Sequence, residues 1–81
     1  MELKLTTARA LKFEKNTGKG IIEFLKEVSE TGTISLTETV ELFAALGDNY
    51  TVEVFDAWNI PYAEKLEKMF AAVTEYVQGK K

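Results

Sequence analysis

The side chains that carry most enzymatic chemistry are missing from this sequence or wrongly spaced in it. Its 81 residues include no His and no Cys. That removes the commonest general base, the commonest transition-metal ligand and any thiolate. The lack of Cys also excludes disulfides and fits a reducing cytosol. Glu38 and Glu41 stand three apart and can share a helical face, as a pair of acid–base carboxylates would. Glu38 is better explained as half of a capping box with Ser35, and carboxylates so spaced on an exposed helix are usually only solvated. Gly18-Lys19-Gly20 lacks the G-x-x-x-x-G-K-[ST] spacing that cradles a phosphate. Asp48 with Tyr50 two residues on fails the calcium-loop pattern, which needs oxygen ligands at alternate positions and Gly at the sixth. The sequence therefore predicts no catalytic residue, no metal site, no cofactor and no small-molecule substrate.

Charge is distributed unevenly. Residues 1–26 carry six basic side chains and three acidic ones, residues 27–64 carry eight acids and no base, and residues 65–81 carry four bases and two acids. The net charge of −3 hides this polarity. Helices separated by Gly turns could suggest a helix-turn-helix, and the basic start could touch phosphate. A recognition helix in the centre, however, would have no Lys or Arg and would be repelled by the nucleic-acid backbone. Nucleic acid is not the expected partner. Nor is a membrane: the longest apolar run, Leu42 to Leu46, cannot span a bilayer, and Met1-Glu2-Leu3-Lys4-Leu5 has no signal-peptide h-region. Uneven charge has two readings, a solvated surface or complementary patches that guide partner or head-to-tail contact.

These side chains need elements to position them, and the spacing predicts a single all-α domain over residues 1–81, a compact bundle of four to five short helices. Glu2 to Leu5 alternates weakly, as a brief strand or an extended arm. Thr6 or Thr7 caps a first helix that runs to about Asn16 with apolar Ala10, Leu11 and Phe13, and Gly18 stops it. A second helix, about Lys19 to Ser29, places Ile21, Phe24, Leu25 and Val28 at i, i+3, i+4, i+7, and Ile22 widens the stripe. The Ser35–Glu38 box opens a third, Leu36 to Leu46, apolar nearly all round toward its end and therefore central. Tyr50 to Trp58 alternates like a strand, but Thr51 can cap, Val54, Phe55 and Trp58 share a helical face, and a lone strand lacks a partner; a short helix is favoured. Pro61 opens a last helix with Tyr62, Leu66, Met69, Phe70, Val73, Tyr76 and Val77 on one face and a Glu64–Lys68 pair. The expected core is Leu25, Leu36, Val40, Phe43, Leu46, Leu66, Met69, Phe70 and Val73.

Tyr50, Phe55, Trp58 and Tyr62 gather around the single Pro. Phe55 and Trp58 at helical spacing suit a core, while Trp and Tyr also dominate interface hot spots. The chain has more apolar helix surface than a core of this size needs, notably Ile22, Val52, Trp58 and the small Ala71-Ala72 face. Partner-binding residues are therefore expected at Ile22, Trp58, Tyr62, Ala71 and Ala72, with self-association in the free protein.

Four stretches together resemble the small tail assembly chaperones of long-tailed bacteriophages, especially those of Gram-positive hosts. Leu3-Lys4-Leu5-Thr6-Thr7 with Ala10 to Lys15, Gly18 and Lys19 looks like the family's arm and first helix. Ile34-Ser35-Leu36-Thr37-Glu38 through Leu46-Gly47 looks like its central helix, Thr51-Val52-Glu53-Val54 like its next capped helix, and the amphipathic C-terminal helix completes the likeness. A very brief arm and an abrupt end after the last helix are departures. The resemblance implies a phage or prophage protein of the host bacterial cytoplasm that coats the tape measure protein before the tail tube polymerises around it. It brings no catalytic residue and no cofactor. It also implies a longer, frameshifted second product, and Lys80-Lys81 suits an A-rich slippery site as well as an exposed basic tail. The competing readings are a small regulatory protein that binds nucleic acid or a transcription factor, and a structural head–tail connector component.

Overall fold

Capping residues set the helix boundaries. The computed structural model describes residues 1–79, so the expectation at Lys80-Lys81 lies outside the described residues. Five helices and no strand are found among them. Helix α1 (Thr7–Thr17) starts at Thr6, whose side chain accepts the Arg9 N–H at 3.3 Å, and stops at Gly18 with φ 77°. Helix α2 (Ile21–Thr31) starts at Gly20 and stops at Gly32 with φ 70°. Both stops use the left-handed conformation that Gly enters without a Cβ penalty. Helix α2 thus runs past the expected Ser29: Glu30 and Thr31 stay helical until a residue can reverse the chain.

Helix α3 (Leu36–Ala45) opens with the capping box, Ser35 Oγ accepting the Glu38 N–H at 3.1 Å and Glu38 Oε1 accepting the Ser35 N–H at 3.4 Å. Helix α4 (Val52–Ala57) is the short helix favoured for the ambiguous stretch, capped by Thr51. Helix α5 (Tyr62–Gln78) begins directly after Pro61, which serves as the N-cap. No described helix is long and apolar enough to cross a membrane.

Helix α3 packs against α1, α4 and α5, as its apolar circumference requires. Two aromatic groups fill the interior. Phe13 meets Phe24 edge-on at 5.1 Å, and Phe24 stacks on Phe70 at 6.1 Å. Phe43 stacks on Tyr50 at 4.7 Å and on Trp58 at 5.8 Å, and meets Phe55 edge-on at 5.1 Å. Leu42, Leu46, Met69 and Val73 are fully buried in the same core.

Residues 1–6 form the extended arm, without a strand. The Lys4 N–H donates to Leu46 O at 3.0 Å, and Leu5 is buried in the core. Tyr50 OH donates to Glu2 O. The Arg9 guanidinium donates to Lys4 O at 2.7 Å and pairs with Asp48 at 3.4 Å, so it fastens the arm to the end of α3.

The core expectation needs correction. Phe43, Leu46, Met69 and Val73 are buried as expected, but Leu36 is 71% exposed, and Leu25, Val40, Leu66 and Phe70 are only partly covered. Leu36 is the first residue of α3, and a helical side chain leans toward the N-terminus, past the part of the helix its neighbours cover. On α5 the buried face is Lys65, Met69 and Val73, with Ala72 and Tyr76 half-buried beside it. Met69, Val73 and Tyr76 of the predicted face thus point inward, but the buried arc is shifted toward Lys65 and Ala72, which leaves Tyr62 and Val77 at its exposed edge. Lys65 is tolerated inside because its Nζ donates to Phe55 O at 2.6 Å and sits 4.5 Å from the Phe55 ring centre. The cation thereby meets the negative end of α4. The Glu64–Lys68 pair does not form an ion pair; the pairs among the described residues are Arg9–Asp48, Lys19–Glu27 and Lys19–Glu38.

Candidate partner-binding groove

The rotation of α5 leaves Val77 at the edge of the core, 40% exposed. On α1, Leu11 and Phe13 lie about 200° apart around the axis, so only one can face inward. Phe13 is fully buried and Leu11 is 60% exposed. On α2, Ile21 and Phe24 turn inward and Ile22 is left 62% exposed. These three outward residues converge. Leu11, Ile22 and Val77 line one open groove of about 700 Å³ between α1, the start of α2 and the end of α5.

The hollow exists because Ala10 and Gly20 offer little or no side chain to fill it. Ile21 and Tyr76 also line it, and the Tyr76 hydroxyl lies 2.7 Å from Thr7 Oγ1, tying α5 to the start of α1. Two charged residues line the groove, Glu14 and Glu23, and both are acidic. Neither has an ion-pair partner among the described residues. Of seven large apolar side chains exposed among the described residues, three meet here, so exposure is concentrated at this place. A concave, apolar surface with a few polar groups at its rim is the usual form of a binding site.

Of the five expected partner-binding residues, only Ile22 lies in this groove. Tyr62 is exposed at the start of α5, its ring edge-on to Phe55 at 6.1 Å and its hydroxyl 3.5 Å from Thr39 Oγ1. Trp58 is half-buried and stacked on Phe43, so it belongs to the core packing. Ala72 packs half-buried against the core, and Ala71 and Ala72 share a shallow hollow with Met1 and Leu3 of the arm. Leu11 and Val77 were not expected in a binding role. Leu11 carried a signal, its opposition to Phe13; Val77 carried none, because it fits the predicted inward stripe of its helix.

Ionic chemistry concentrates elsewhere, at Lys19. Its Nζ lies 2.6 Å from both Glu27 Oε1 and Glu38 Oε2. These hydrogen bonds, Glu27 first and Glu38 second, push the Lys19 ammonium well above its ordinary range. The same contact from Lys19 holds the Glu38 carboxyl below the usual carboxylate range. Among the described residues no three acidic side chains gather as a metal site would require. This cluster joins the α1–α2 turn to α2 and α3, and structure explains it fully. No known protein family, no curated protein and no solved structure matches the chain.

Proposed function

We propose that this chain is a helical protein-binding module that coats a long helical partner, in the manner of the tail assembly chaperones it resembles, with the tape measure protein as that partner. The observation that carries the reading is the groove lined by Leu11, Ile22 and Val77, three apolar side chains held in water at one place. Exposed apolar side chains that cluster mark association surfaces far more often than scattered ones do. A helix-in-groove contact suits a client that would otherwise show apolar helical stripes to water.

Co-expression with a candidate tape measure protein tests the proposal, with the soluble fraction of that protein as the readout. The expected result is a soluble tape measure protein that co-purifies with the chain. A client that stays insoluble and does not co-purify overturns the functional reading, whatever becomes of the groove.

A further inference from the structure

We infer that the groove between α1, α2 and α5 takes an amphipathic helix that bears Lys or Arg beside its apolar stripe. The inference rests on the reading above that this chain binds helical protein segments, and it names the chemistry of the segment. Two observations choose the occupant. The first is charge: Glu14 and Glu23 line the groove, no basic residue does, and neither acid is ion-paired among the described residues. An apolar helix flanked by bases would place cations against both carboxylates, whereas an acidic helix would be repelled.

The second is shape. Leu11, Ile22 and Val77 line the hollow together with the small Ala10 and Gly20, and a convex apolar ridge suits such a concave surface. The lining stretch of α1, Thr7 to Glu14, offers ~10 Å of wall, enough for about two turns of a docked helix. A two-fold contact between copies would set hollow against hollow and leave both unfilled. A head-to-tail contact would need a basic ridge, which α3 and α4, built within residues 27–64, do not supply, and α1, α2 and α5 themselves form the groove.

The test uses the full chain and two synthetic helices of roughly 15 residues, alike in a leucine stripe and differing only in Lys or Glu flanks. Isothermal titration at low salt should show the Lys helix binding about tenfold more tightly than the Glu helix. That preference should shrink as salt rises towards ~1 M. Leu11→Ser and Ile22→Ser, at exposed positions, should weaken both helices alike. Glu14→Gln with Glu23→Gln should abolish the preference while leaving the Glu helix bound as before or better.

Equal affinity for the two helices overturns the inference, as does binding that Ile22→Ser leaves unchanged. Sedimentation that shows a dimer broken by Ile22→Ser and not displaced by the Lys helix overturns it in favour of a second copy as occupant. Failure here is distinguishable from failure of the functional reading. A tape measure protein kept soluble by the Ile22→Ser chain upholds the function and removes the groove from it. Lys-helix binding without solubilisation upholds the groove and removes that client.

Discussion

At the residue scale the arrangement turns on the ring of Phe43 and on what its neighbours must give up to reach it. Tyr50 lies flat on Phe43, and its ring occupies the space where a side chain at position 47 would begin. A Cβ on Gly47 would overlap the Tyr50 ring. An aromatic ring stacked on one side and bonded through its hydroxyl to the arm cannot step aside as a flexible chain end would. Gly47→Ala should therefore cost about 1–3 kcal/mol as an overpacking change. In thermal unfolding that means a drop of several degrees for a domain of this size. A melting temperature equal to that of the parent protein would show that Tyr50 relocates without loss. Two other residues show how local chemistry admits the unusual. Asn49 adopts φ 62°, a left-handed conformation that Asn tolerates better than most residues. Thr39 is fully buried because its hydroxyl donates back to Ser35 O at 2.8 Å.

At the element scale α3 holds the assembly, and its two ends behave differently. The C-terminal half buries Leu42, Phe43, Ala45 and Leu46. Leu46 also presents its carbonyl to the arm through Lys4. Leu46→Ala should cost on the order of 2–5 kcal/mol, through lost transfer energy and the cavity left behind. For a domain of marginal stability that loss approaches unfolding. Leu36→Ser, ten residues earlier at the start of the helix that Leu46 caps, should change stability by no more than about 0.5 kcal/mol, as exposed substitutions generally do. Denaturant titration of both variants compares the two ends directly. Similar midpoints for the two would contradict the exposure difference on which the corrected core rests. Trp58 follows the Leu46 logic: truncating it would remove a ring stacked on Phe43, so it is a poor reporter of partner binding.

At the scale of the whole molecule, electrostatics joins segments that the apolar core touches only in part. Lys19 sits in the turn after α1 and bonds Glu27 on α2 and Glu38 on α3. Glu38 divides its work between its oxygens, one closing the capping box and the other accepting Lys19. Its depressed folded value means that its contribution is fully present above the ordinary Glu value, about 4.3. That contribution fades as pH falls through the folded value. Lys19 has the opposite sign: its contribution is present below the ordinary Lys value, about 10.4, and fades as pH rises through the elevated folded value. With no His in the chain, stability should be flat between about pH 6 and 8 and should decline in acid. Glu38→Gln keeps the capping box, since Gln serves at that position as well as Glu, but removes the charge. Thermal melts against pH should show a shallower acid decline for Glu38→Gln than for the parent. Coincident acid limbs would mean that the Lys19–Glu38 contact carries no stability.

Much of the chain's local order was legible in its letters, because capping and turn chemistry act over three or four residues. Thr6, Ser35 and Thr51 before apolar runs, and Gly18 after one, mark helix ends whatever the rest of the chain does. The all-α class followed from those signals and from the helical spacing of the apolar side chains. What the letters left open is the angle at which each helix meets its neighbours. On α5 the apolar side chains from Tyr62 to Val77 cover a wide arc, so their spacing alone does not fix which of them point inward. The tertiary structure selects the rotation that places Lys65 against the end of α4 and leaves Val77 outside. Helix α1 poses the same choice between Leu11 and Phe13, and contact with Phe24 decides it. The groove is the sum of these choices. Ile22 was recognisable as surplus, but Leu11, Ile22 and Val77 lie on three helices far apart in sequence, and only packing brings them to one place. Periodicity determines which side chains share a face; the burial of a common core determines which face is left to meet a partner.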